Sequence, residues 1–176
     1  MKKILIIALV VAATLGYAVT AKADSVNATV PMTFTVQEAF GFTLSQYSHD
    51  FGSIKTGEGA ETTIGIICRS NHGRQWTMNI QAPEFTNGTG GTLPSDPGFT
   101  MSGWTDKPGE PGEAQGEWLY KTGPIPSVAG GYDFYRSTPA EGGDPFTALT
   151  IGLYVKLPTA LAAGLYSTSV NFTMTD

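Results

Sequence analysis

Apolar and polar residues alternate without a slip over residues 25–36: Val26, Ala28, Val30, Met32, Phe34 and Val36 are apolar, and Ser, Asn, Thr or Pro stand between them. A period of two marks a strand with one face in a core, so this stretch predicts a strand. Near the other end Tyr166, Val170, Phe172 and Met174 share one parity and Ser167, Ser169, Asn171, Thr173 and Thr175 the other, which predicts a C-terminal edge strand. Such strands can be paired within one chain or between chains.

Between these two the same pattern predicts a short strand at residues 40–44 and a β-branched core strand at residues 61–68. Residues 75–81 follow, with Trp76, Met78 and Ile80 alternating, and residues 147–157 carry Leu149, Ile151, Leu153, Val155 and Leu157 on one side. The turn at residues 70–73, with Asn71 and Gly73 placed for positive φ, makes residues 62–81 read as a hairpin. Shorter strands are predicted near Phe99 and Met101, at residues 117–121 and at residues 132–136. Residues 105–116, rich in Gly, Pro and carboxylates, hold no large apolar side chain and predict an exposed loop whose removal costs no core contact. Eight to ten strands without a helix in the body of the chain imply an all-β, immunoglobulin-like antiparallel sandwich with long Gly/Pro-rich loops.

Residues 1–23 stand apart. Lys2 and Lys3 precede an apolar run, and Ala21-Lys22-Ala23 forms a cleavage triplet, so a secretory signal peptide is expected, followed by a single domain over residues 24–176. No later segment is apolar enough to span a bilayer. Without the three leader lysines the chain keeps seven basic and fifteen acidic residues, a formal charge of −8. That charge disfavours nucleic acid and anionic membrane surfaces as partners. Cys68 is the only cysteine, so no intrachain disulfide can form, and Ile64, Ile66 and Ile67 around it predict a buried thiol, with an intermolecular bridge or a catalytic thiol as the competing accounts.

Catalytic chemistry is sparse. His49 and His72 both fall in predicted turns, and His49 and its neighbour Asp50 would point to opposite faces of a strand. No metal site is expected either: Asp106, Glu110 and Glu113 offer oxygen ligands but are separated by Pro and Gly without EF-hand spacing. The chain is therefore expected to be neither an enzyme nor a cofactor carrier. Aromatic residues are dense at Trp104, Trp118, Tyr120, Tyr132, Phe134 and Tyr135. Five of them, Trp104, Trp118, Tyr120, Tyr132 and Tyr135, are the candidate platform for stacking on sugar rings; ordinary core packing is the competing account.

The run Asp50-Phe51-Gly52-Ser53-Ile54, then Ile66-Ile67-Cys68, Leu149-Thr150-Ile151 and Ala163-Gly164-Leu165-Tyr166-Ser167-Thr168-Ser169-Val170 resembles, in order, the spore coat U type of domain. That family belongs with the immunoglobulin-like pilin subunits exported by chaperone and usher. The family usually has an earlier cysteine to pair with the one matching Cys68, which this chain lacks, and such pilins commonly carry a penultimate Tyr where this chain has Thr175. The resemblance implies a secreted structural subunit of a fibre, pilus or surface coat. Its partners are copies of itself or related subunits, with a periplasmic chaperone and an outer-membrane usher in transit to the cell surface. Residues 25–36 are then the candidate strand for donation; the competing reading keeps them as the edge of their own sandwich, and Pro31, which lacks an N–H, argues against a fully paired position in either. The alternative is a monomeric carbohydrate-binding module or adhesin using the aromatic residues.

Overall fold

The computed structural model describes residues 29–104, 114–139, 141 and 146–176. The chain divides into two units, residues 1–36 and 37–176. In the first, residues 29–36 form no helix or strand. Val30, Met32, Phe34 and Val36 are 73%, 87%, 89% and 69% exposed. The strand expected here is thus absent from its described part, while Val26 and Ala28 lie outside the described residues. Alternation specifies which face a strand would bury, but a lone strand has no ladder to satisfy its peptide groups.

The second unit contains eleven strands among the described residues: β1 (Phe40–Leu44), β2 (Gly59–Ser70), β3 (Thr77–Gln81), β4 (Phe85–Thr86), β5 (Thr92–Leu93), β6 (Phe99–Trp104), β7 (Glu117–Trp118), β8 (Thr122–Pro124), β9 (Tyr132–Arg136), β10 (Thr147–Lys156) and β11 (Asn171–Thr175). One sheet runs β1-β2-β10-β6-β8 and the other β11-β3-β9-β7, with β4 and β5 as a separate small ladder. All the pairings are antiparallel. The result is the all-β sandwich that the alternation predicts.

The core lies between the two sheets, where each strand contributes one parity. Ile64, Ile66 and Cys68 of β2, Leu149, Ile151, Leu153 and Val155 of β10, and Phe99 and Met101 of β6 face Met78 and Ile80 of β3 and Phe134 of β9. β2 and β10 form the longest ladder, from Thr147 against Cys68 to Lys156 against Gly59. The hairpin expected over residues 62–81 does not form: β2 and β3 belong to opposite sheets. Residues 71–76 carry the chain across the sandwich, with Gly73 at φ 65° and Trp76 fully buried. Asn71 does not take the positive φ expected of it.

β9 breaks its own alternation for a visible reason. Met78 pairs with Tyr135 and Asn79 with Asp133, so Phe134 is an extra residue at a bulge, and Phe134 and Tyr135 both turn inward and are fully buried. Their rings join Trp76 and Trp118, at centroid separations of 5.4–6.0 Å.

A buried carboxylate closes one end of this aromatic layer. Glu141 accepts hydrogen bonds from the Tyr135 hydroxyl and the Gln115 N–H on Oε1 and from the Thr138 N–H on Oε2. Its carbonyl accepts the Trp76 indole N–H at 3.1 Å. The Gly116 N–H donates to the Tyr135 hydroxyl at 2.7 Å, and Ala114 packs on the core. This corrects the expectation that residues 105–116 touch nothing. Residues 105–113 lie outside the described residues, but residues 114–116 are fastened by backbone groups, which side-chain size cannot forecast. Burial and then the Glu141 hydrogen bond push the Tyr135 phenol well above its ordinary range.

Cys68 is buried and free, its thiol pushed up from 9.0 to about 12, first by burial and then by the charge of Glu141. A folded-state pKa above the unfolded one means that this group's contribution to stability is complete below pH 9.0 and is lost as pH rises towards 12. Cys68→Ala should therefore flatten the fall of urea-unfolding stability above pH 9.0. Cys68→Ser should lower stability by about 1–3 kcal/mol, the cost of a buried hydroxyl without a ready partner. Native protein should resist thiol reagents, and rapid native labelling would show the burial to be wrong.

Candidate assembly edge

Among the described residues the sandwich has four sheet edges, and they differ in kind. β7 has two residues, and β8 has three and ends in Pro124; shortness and proline are the usual devices that blunt an edge. β1 (Phe-Gly-Phe-Thr-Leu) and β11 (Asn-Phe-Thr-Met-Thr) have five residues each and carry no charge and no proline. Each pairs on one side only, β1 with β2 and β11 with β3.

These two open edges are joined through the β2–β3 connection. The Phe40 ring, at the start of β1, stacks on His72 with centroids 5.1 Å apart and planes 10° from parallel. His72 Nδ1 lies 2.6 Å from the Asp176 carboxylate, just past β11, and Arg74 reaches the same oxygen at 3.1 Å. β1 and β11 thus have their ends on the same side of the molecule. Along β1, Phe42 and Leu44 are half-buried against the core; along the C-terminal segment Tyr166, Val170 and Phe172 are half-buried and Met174 is buried. The parity read from the sequence holds here, with Ser167, Ser169, Asn171, Thr173 and Thr175 outward. The strand itself is shorter: only residues 171–175 form a ladder, while Ser167 makes an isolated bridge to Thr86.

The aromatic residues do not come together as one platform. Tyr135 is core, and Trp118 packs on Phe134 and Tyr135 over Gly103, where a Cβ would meet the indole. Tyr120 sits edge-on to the exposed Tyr132, 5.4 Å away, with its hydroxyl donated to the Pro124 carbonyl. Trp104 alternates with buried Met101 and Gly103 and lies on the outer face of its sheet, over Gly152. The bulge at Phe134 lets Phe134 and Tyr135 both face inward, and the alternation of β6 puts Trp104 on the other face from Met101 and Gly103. Among the described residues no His, Cys, Asp and Glu gather into a metal-binding group, and no helix is long and apolar enough to cross a membrane.

No protein-family model matches this chain, and no curated protein matches it. Among solved structures it is similar to a family 123 glycoside hydrolase from Clostridium perfringens, studied for glycolipid glycan hydrolysis, at 15% identity and a TM-score of 0.41. The match covers 68% of this chain and 19% of that one, so this chain spans about a fifth of the hydrolase. A likeness at that level carries no argument about function.

The Asp176 carboxyl is held below its ordinary 3.8, chiefly by the hydrogen bond from His72, with the charges of Arg74 and His72 adding and desolvation opposing. A depressed pKa contributes stability above the unfolded value, and that contribution is lost as pH falls through the folded one. In a carbon-detected NMR titration the Asp176 carboxyl should have its midpoint below 3.8 and should move back up in His72→Ala. An unchanged midpoint in that variant would show that the pairing does not persist in solution.

Proposed function

We propose that this protein is a non-catalytic, secreted structural subunit of an extracellular fibre, pilus or surface coat, in which subunits join by strand addition. The observation that carries the reading is the pairing of two unblunted, uncharged edges on β1 and β11 with a separate segment, residues 29–36, whose apolar alternation lies exposed. Peptide groups supply affinity in strand addition, and alternate side chains seated against a core supply register. Val30, Met32, Phe34 and Val36 have the two-residue spacing of Val170, Phe172 and Met174. Removing each large side chain from water favours the joint by about 1.5–3 kcal/mol before ordering costs.

Pro31 shapes how such a strand is received. In an antiparallel ladder the N–H groups of one parity point to one side and those of the other parity to the other. Pro31 removes a donor from the odd side only. One receiving edge therefore obtains a full set of donors from residues 30, 32, 34 and 36, and the other an incomplete set. Copies of this chain or related subunits are the partners in this reading, with a periplasmic chaperone and an outer-membrane usher handling the open edges before assembly. The burial of Tyr135 and the separation of Trp104 from Tyr120 and Tyr132 favour strand addition over the sugar-stacking alternative.

Val30→Asp with Phe34→Asp tests this reading. Both positions are exposed, so the variant should keep the wild-type circular dichroism spectrum and melting temperature, yet elute as a monomer where the wild type forms concentration-dependent oligomers. Normal assembly by the double variant would refute strand addition through this segment.

A further inference from the structure

The backbone just before β1 is held by one side chain. Asn71, the first residue after β2, accepts the Ala39 N–H on Oδ1 at 2.8 Å and donates Nδ2 to the Gln37 carbonyl at 2.7 Å. Its own N–H donates to the Ala39 carbonyl at 3.0 Å. The β1–β2 ladder ends with Phe40 opposite Ser70, and these bonds continue it by a further rung, with the side-chain amide standing in for the next peptide group. Residues 37–39 are thereby kept in line with β1. Both amide atoms are used, so neither Asp, which lacks the donor, nor Ala reproduces the arrangement.

A chain that folds back on itself to add a strand needs a reversal of about two to five residues. Residues 37–39 are the natural place for it, directly between the apolar alternation and β1. While Asn71 holds them extended, the reversal must be made from residues before Gln37. That consumes Val36, and Phe34 as well once the reversal exceeds two residues, so fewer of the four large apolar positions can dock. Addition to another copy requires no reversal, and all four positions remain usable. We propose that Asn71 is a positioning residue that keeps residues 29–36 from completing their own domain and so directs them to a second copy. This inference rests on the strand-addition reading above.

The experiment compares the wild type, Asn71→Ala, Asn71→Asp and a variant with Gly-Gly-Ser inserted between Val36 and Gln37, which supplies a reversal without touching Asn71. Amide exchange of residues 30, 32, 34 and 36, whose N–H groups would face the receiving edge, is measured in the monomer fraction, and assembly by sedimentation velocity over a concentration series. Wild-type monomer should exchange these amides as an unstructured chain does. In Asn71→Ala and in the insertion variant they should slow by about tenfold or more, and assembly at a given concentration should fall correspondingly, because the segment is now occupied at home. Asn71→Asp, which loses only the Gln37 bond, should fall between. Tail amides that stay unprotected in the insertion variant, or in a folded Asn71→Ala monomer, overturn the inference. If the wild type does not assemble at all, strand addition between copies fails, and exchange in the variant monomers still decides whether Asn71 restrains self-docking.

Discussion

A β-sheet ends in a row of peptide groups that must meet water, a partner strand or some device that discourages pairing, and this sandwich treats its four ends unequally. On the β7 and β8 side the strands are only two and three residues long. On the opposite side β1 and β11 run five residues each without a charged side chain. They also keep Phe42, Leu44 and Phe172 only half covered. The core can tolerate this asymmetry because its most buried residues come from the central strands β2, β10 and β6 and from β3 and β9. An edge left open at β1 or β11 exposes little of what holds the two sheets together.

Much of the fold was legible because a half-buried strand writes its period directly into the chain. The inward Leu149, Ile151, Leu153 and Val155 of β10 and the Trp76, Met78 and Ile80 series were readable residue by residue. What failed depended on contacts that no local pattern contains. Residues 62–81 looked like a hairpin because two strands with a turn between them are the same string whether they pair or cross between sheets. The aromatic run at Tyr132 to Tyr135 could be read as a surface platform or as core packing, and the bulge that lets Phe134 and Tyr135 both face inward has no local signature. Residues 29–36 have the cleanest alternation in the chain and no ladder; periodicity states what a segment can bury, not whether its partner is present.

The polar contacts were the least legible. His72 meets Asp176 across 104 positions, and Asn71 meets Gln37 across 34. Glu141 gathers donors from Gln115, Tyr135 and Thr138. A lone Glu in a Gly/Pro-rich loop gives no hint of such burial. Each of these side chains does what a strand register or a larger core does elsewhere: it fixes the path of an irregular segment against the sandwich. Irregular segments in this protein are therefore held by single side-chain clasps, whereas the sheets are governed by repeated apolar contacts.

Cys68, buried between the sheets with no second cysteine in the chain, has a consequence for where such a domain can operate. No intrachain disulfide cross-links the sandwich, so its fold does not depend on one staying oxidised. Reductants that dismantle a disulfide-stapled domain have nothing here to cleave. Forming the sandwich requires no disulfide to be made or rearranged within the chain.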